Sequence, residues 1–207
     1  DAELDALLGS LADLLTPADR QRLIAFAADA RHWWQQEFGC EHDSCRLLGQ
    51  DNIRRYLPVV ALRIRMHILD TLPDMLIRIL AARTAGCRIV VGFPQGVLTT
   101  LHARLERSTS LWGGSIEFVE ESDDELIAVM AAGGTDRVRY AAPDRAPAAI
   151  LAAVRDSGIH IARNPVLAHA RIELLRVLRE QSISFDYHRY GNLGLRGGEN
   201  RQIGPQC

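Results

Sequence analysis

Lysine is absent: all 24 basic side chains among the 207 residues are arginine. Arginine stays protonated and cannot act as an amine nucleophile, so Schiff-base and lysine general-base chemistry are excluded. A P-loop nucleotide site is excluded too, because its lysine is missing. The simplest source of such a bias is codon usage. Long apolar runs are also absent, with none near the 18 residues a membrane-spanning helix needs, and no basic-then-apolar leader opens the chain. The four cysteines, Cys40, Cys45, Cys87 and Cys207, are too few for a disulfide framework, which points to a reducing cytoplasm. A net charge of −2 lacks the basic surplus that bulk nucleic-acid or membrane-surface binding requires. What remains is 47% hydrophobic and 24% charged, the balance of a globular domain with a real core. The chain opens at Asp1 without methionine, which leads us to expect a piece of something longer.

Residues 1–38 read as two helices. Leu4, Leu7, Leu8, Leu11, Leu14 and Leu15 recur at helical spacing. Thr16-Pro17-Ala18-Asp19 then carries an N-cap, a first-turn proline and a first-turn acid. The second helix is expected to turn Leu23, Ile24, Ala27, Ala30, Trp34 and Phe38 inward. Residues 39–59 read as irregular, being rich in turn formers and closed by Pro58. From Ala61 short β-rich runs alternate with helical ones. Strands are expected at 61–68, 88–91, 115–120, 137–140 and 160–162, and helices at 71–84, 95–107, 123–132, 145–157 and 168–180. The last helix has Ile172, Leu175, Val177 and Leu178 as its apolar stripe. This order predicts an α/β fold: a Rossmann-like, mainly parallel sheet with helices on both faces, an N-terminal helical segment and a C-terminal extended arm. The boundaries are then helices and a connecting loop over 1–58, the α/β domain over 59–180, and the arm and a disordered tail over 181–207.

Open sheets of this kind bind ligands beyond the carboxyl ends of their strands. A dinucleotide site needs a glycine-rich turn there. Gly92-Phe-Pro-Gln-Gly96 offers two glycines without the G-x-G-x-x-G spacing, and Ala141-Ala-Pro-Asp144 offers none. Cys40, His42 and Cys45, with His32 nearby, suggest zinc but lack a second paired motif, so no metal is expected. Ser182, Ser184, Asp186 and His188 would share a face of an extended segment, yet a near-terminal arm supplies no rigid oxyanion hole for a triad. The alternation instead places Ile183, Phe185 and Tyr187 on one face, as in a strand half-buried against a partner. No catalytic residue is assigned to this chain. Trp33-Trp34 is read as one buried and one partly exposed indole, and Arg54, Arg55 and Tyr56 as a structural loop.

Two stretches resemble the Proline Utilization A family of bifunctional proline dehydrogenase and L-glutamate-γ-semialdehyde dehydrogenase enzymes. They are Arg46-Leu-Leu-Gly-Gln-Asp-Asn-Ile-Arg-Arg-Tyr-Leu-Pro58 and Glu173-Leu-Leu-Arg-Val-Leu-Arg-Glu-Gln-Ser-Ile-Ser-Phe-Asp-Tyr-His-Arg-Tyr-Gly-Asn-Leu-Gly194. The likeness is to the C-terminal region and covers most of residues 20–196. Ala85-Gly-Cys-Arg-Ile-Val-Val-Gly-Phe-Pro-Gln95 and Asp136-Arg-Val-Arg-Tyr-Ala-Ala-Pro143 are similar to the cofactor half of the aldehyde dehydrogenase superfamily. The departures sit at its cofactor positions: Gly92 stands for the lysine that reaches the adenosine ribose, and Gln95 for the glutamate. Ala142 and Pro143 stand for the glycine-serine pair, and proline has no N–H to offer a phosphate. The superfamily's catalytic cysteine and general-base glutamate segments have no match.

The resemblance therefore implies an aldehyde-dehydrogenase-like domain without cofactor chemistry. It would cover the semialdehyde dehydrogenase site and help enclose the tunnel for the proline-derived intermediate. No cofactor is expected in this chain, and FAD and NAD are expected in the parent enzyme. The expected partners are the parent's catalytic domains, and a second copy through an arm comprising Ile183, Phe185, Tyr187, His188, Arg189 and Tyr190. The arm is expected to protrude and pair with a neighbouring domain or subunit. The parent is expected to be cytoplasmic, with peripheral membrane association allowed. Two alternatives stay open: an NAD-binding fragment of the dehydrogenase itself, and a free-standing interaction module.

Overall fold

The computed structural model describes residues 2–96, 100–188 and 190–201. Two helices open the chain, α1 (Ala2–Ser10) and α2 (Pro17–Trp33), and the last turn of α2 widens into a π-turn over Trp34–Phe38. Thr16 caps α2 as its sequence predicts: its side chain accepts from the Asp19 N–H, while the Asp19 carboxylate reaches back to the Thr16 N–H, a reciprocal pair that satisfies two otherwise orphaned donors. Leu11 and Leu15 are buried although α1 has ended before them, because the turn folds them back onto the core. On α2 the inward set is Leu23, Phe26 and Ala30, while Ile24 faces solvent.

The next strand, β1 (Gln50–Pro58), lies where an irregular segment was expected. The alternating parallel part comes after it: β2 (Ala61–Arg65), α3 (Leu72–Ala85), β3 (Arg88–Phe93), α4 (Thr100–Ser108), β4 (Ile116–Glu120), α5 (Asp123–Ala131), β5 (Arg137–Arg139), α6 (Ala148–Ser157) and β6 (His160–Ala162). All neighbours in this five-stranded sheet are parallel and run in the order β4-β3-β2-β5-β6. The chain winds outward one way from β2 through α3 and α4, then restarts on the other side at β5. Right-handed crossovers accordingly set α3 and α4 on one face and α5 and α6 on the other. Two apolar cores match these layers. The larger joins Leu62, Ile64, Ile79, Ile89 and Val91 to the N-terminal helices, and the smaller gathers Leu126, Met130, Val138, Tyr140, Ile150 and Ile159.

Two helix boundaries differ from the sequence reading. The helix expected over 95–107 begins at Thr100; residues 97–99 of that expectation lie outside the described ones. The helix expected over 168–180 is only α7 (Ala170–Leu175), and Leu178 already opens β7 (Leu178–Asp186). Ile172 and Leu175, expected in its buried stripe, are exposed, whereas Glu173 and Leu174 are buried. Pairing drives the change: β7 runs antiparallel to β1 over nine positions, from Gln50↔Asp186 to Pro58↔Leu178. The two form a separate ribbon, rooted where Arg137 of β5 donates to the carbonyls of Arg176 and Leu178 at 2.6 and 3.0 Å.

Candidate functional site

A doubly wound sheet opens a crevice where its strand order reverses. Here that point lies between β2 and β5. A cavity of about 350 Å³ occupies it, lined by the residues after β2 (Met66, His67, Ile68), β3 (Pro94, Gln95) and β4 (Glu121, Ser122, Asp123), with Arg65, Tyr140, Arg145 and Pro147.

The floor of this cleft is charged. Arg63 and Arg65 alternate on β2 and are both buried. Arg63 pairs with Glu121, which is itself only 4% exposed. Arg65 donates to the Glu121 carbonyl at 2.9 Å and to the Asp123 carboxylate at 3.0 Å. Burial raises the Glu121 pKa while the two arginines hold it down. Ser122 begins α5 in a capping box with Glu125, which fixes the backbone just beyond Glu121.

Gly92 gains its physical account from this arrangement. A Cβ at position 92 would fall 2.8 Å from the carboxyl carbon of Glu121. The glutamate thus lies across the end of β3, in the space that a side chain on residue 92 would need. The other cofactor-position residues are spread around the same end of the sheet. Gln95 is exposed, its amide 3.5 Å from Glu125. Ala142 is extended, and Pro143 opens a single 3-10 turn whose Arg145 N–H donates to the Ala142 carbonyl at 3.2 Å. Tyr140 is buried, and loss of solvent pushes its phenol well above its ordinary pKa.

The loop from β2 to α3 is braced from beneath by Arg78 of α3, which is 1% exposed. Its Nη2 meets Asp70 at 2.8 Å and its Nη1 donates to the Arg65 carbonyl at 3.2 Å. Asp70 in turn accepts from the His67 N–H at 3.2 Å. This buried network was not legible as a site, because β-period alternation in a half-buried strand places such arginines in solvent. The signal available was that the sheet is covered on both faces.

Other candidates disperse. Among the described residues no three histidine, cysteine or acidic side chains are placed to hold a metal ion. His42 Nε2 bonds to the Glu37 carbonyl at 2.8 Å. Cys87 is buried, its thiol pushed up to about 12 by desolvation, and Cys207 lies outside the described residues. Three of the Ser182, Ser184, Asp186 and His188 set are drawn to separate partners in or just before β1: Ser184 donates to Asn52 at 2.9 Å, Asp186 accepts from Gln50 at 2.7 Å, and His188 Nδ1 meets the Gly49 carbonyl at 3.1 Å.

The arm consists of β7 and the residues after it. Ile183, Phe185 and Tyr187 share one face as expected, and antiparallel register adds Ile53 and Asp51 to that face. Within the chain, the arm pairs with β1. Phe185 stays largely exposed, and Tyr190 with Leu195 entirely so. Arg189 lies outside the described residues.

No family model matches the sequence, and no curated protein matches it. Solved structures do match. Proline Utilization A from Corynebacterium freiburgense superposes with a TM-score of 0.55 at 24% identity, over 86% of this chain and 15% of that one. The NAD+ complex of an aldehyde dehydrogenase from Bacillus cereus gives 0.51 at 17% identity, over 77% and 37%. Histidinol dehydrogenase from Elizabethkingia anophelis gives 0.51 at 16%, over 77% and 38%. The chain therefore spans well under half the length of these proteins. Among the described residues no helix is long and apolar enough to cross a membrane. These likenesses show the fold, a Rossmann-like α/β fold similar to that of the aldehyde dehydrogenases matched.

Proposed function

We propose that this chain is a non-catalytic aldehyde-dehydrogenase-like domain of a bifunctional proline-to-glutamate enzyme. In this role it covers the semialdehyde dehydrogenase site, helps enclose the path of the intermediate, and takes no nucleotide itself. One observation carries the reading: Glu121 lies over Gly92 and pairs with Arg63 and Arg65. At the position where the resembled superfamily extends a lysine to the cofactor ribose, this chain has an internal salt bridge and no room for a side chain. Pro143, without an N–H, supports the same reading just beyond the end of the parallel strand β5. The exposed Phe185, Tyr190 and Leu195 support docking through the arm, as apolar surface that a partner would cover. FAD and NAD would then belong to the catalytic domains that this one covers, and the ribbon would contact those domains or a second copy.

The test uses the chain in two ways. Calorimetric titration with NAD should give no saturable heat at micromolar concentration. The chain is also added to the catalytic portion of a Proline Utilization A enzyme that lacks its C-terminal region, and NADH is followed from proline. A shortened lag is expected, since enclosure retains the intermediate. Micromolar NAD binding, or a lag unchanged by the chain, overturns the proposal.

A further inference from the structure

The segment after β7 was expected to be a disordered tail, yet residues 190–201 fold back along the β1/β7 ribbon. Their attachment centres on Asp51. Arg196 grips both its oxygens, at 2.8 and 3.1 Å, and Arg201 binds the same carboxylate. The Arg196 guanidinium stacks on the Tyr187 ring with 3.8 Å to its centroid, and Arg201 donates to the Tyr187 hydroxyl at 2.9 Å. Arg201 also reaches Asp43 at 3.3 Å. Asp51 and Tyr187 lie on the ribbon face that carries Ile53, Ile183 and Phe185, so the segment roofs one end of that apolar face.

The segment buries little apolar surface in doing so. Of its three large apolar side chains, Tyr190 and Leu195 are fully exposed and Leu193 is only half-buried. Tyr190 also holds φ at +50°, a left-handed conformation that costs a side-chain-bearing residue energy. The closed arrangement is thus opposed by the backbone at its entry and held by charge at its far end. Such pairs, partly open to solvent, weaken with salt.

We propose that residues 190–201 are an electrostatic clasp, shut by the double arginine grip on Asp51, which reversibly covers the apolar face of the ribbon. Opening exposes Tyr187 and Ile53 to solvent. The clasp goes beyond the function proposed above and is tested without a dehydrogenase.

The chain has no lysine, so trypsin cuts only after arginine, and Arg196 and Arg201 report directly on the clasp. Initial cleavage rates at both sites are measured by mass spectrometry relative to cuts in the α/β core, for the full chain and two variants. Asp51→Asn should raise the relative rates about tenfold, the effect expected on losing two such pairs, and 1 M salt should raise those of the parent chain. Tyr190→Gly, which removes the left-handed penalty, should lower them. Rates at Arg196 and Arg201 unaltered by Asp51→Asn and by salt overturn the clasp. If Asp51→Asn instead accelerates every cut by unfolding the chain, Tyr190→Gly decides: slower cleavage at the two sites supports the clasp, and unchanged cleavage overturns it.

Discussion

Arg139 of β5 and Glu173 of α7 meet inside the protein, one guanidinium nitrogen 3.0 Å from each carboxylate oxygen. Both side chains are about 1% exposed. The pair ties the sheet to the segment that launches the ribbon. Two further bonds support it, though the buried Arg139 Nε is left without a partner: Arg139 donates to the Asn164 carbonyl at 2.7 Å, and Glu173 accepts from the Leu167 N–H at 2.9 Å. Desolvation lowers the Arg139 pKa against the attraction of Glu173. Removing one partner leaves a buried charge unpaired, which typically costs about 3–5 kcal/mol. Glu173→Ala is expected to lose that much in chemical denaturation, while the double replacement Arg139→Met/Glu173→Leu should recover most of it. Equal losses in the single and double variants would show that the pair is not the source.

Gly92→Ala tests the account of the cleft. Its methyl group would sit 2.8 Å from the Glu121 carboxyl carbon, and Glu121 cannot swing aside without leaving Arg63 and Arg65. Overpacking of this kind costs about 1–3 kcal/mol. Glu121→Ala alone should also destabilise the chain by unpairing two arginines. Because the two residues collide, the double variant should lose less than the singles added together. Strict additivity in urea titrations would mean that Gly92 and Glu121 do not contend for the same space.

The parallel sheet was legible because several of the β2-to-β6 units carry their own punctuation. Thr71 caps α3 and Gly86 ends it at φ +80°, and Ser122 caps α5. These are local signals, and local reading recovers them. The ribbon was not legible in the same way. Gln50–Pro58 mixes polar, apolar and charged residues, and becomes a strand because β7 lies 120 or more residues away in sequence to pair with it. Val177 and Leu178 continue a helical stripe on paper, yet the Arg137 grip on the Leu178 carbonyl turns the chain into β7. The charged floor of the cleft was missed for a related reason. Arg63 and Arg65 alternate as solvent-facing residues would, and only the partners brought by β4 make them interior.

The root of the ribbon offers another measurement. Arg137 Nη1 satisfies two backbone carbonyls, those of Arg176 and Leu178, from a part-buried position. Arg137→Met keeps the apolar stem and removes the donor. Leaving such carbonyls unsatisfied costs about 1–3 kcal/mol. The loss is expected to be local first, with amide exchange rising across β7 and β1 while β2 and β3 keep their protection. Uniform exchange throughout the chain would refute a specific rooting role.

Asp51 gives the pH dependence of the clasp. The Arg196 hydrogen bonds, and then those of Arg201, draw its pKa from 3.8 down to about 2 against the opposing effect of desolvation. A carboxyl depressed in the folded state contributes stability that is present above its unfolded pKa and lost as pH falls through the folded value. The clasp should therefore hold at pH 5 and above, weaken below about 4, and be free near pH 2. The groups facing Asp51 set the shape of this transition. Arg196 and Arg201, whose pKa values are raised by their acidic partners, stay charged throughout. Glu199, whose own pKa is lowered chiefly by its hydrogen bond to Arg196, loses that contact on protonation and so acts in the same direction. Resonances of Gly194 to Gly197, followed by NMR from pH 6 to 2, should move with an acidic midpoint in the wild-type chain. In Asp51→Asn they should already occupy the open position at pH 6, leaving little to titrate. A midpoint near 2–4 that persists undiminished in Asp51→Asn would assign the transition to another carboxylate.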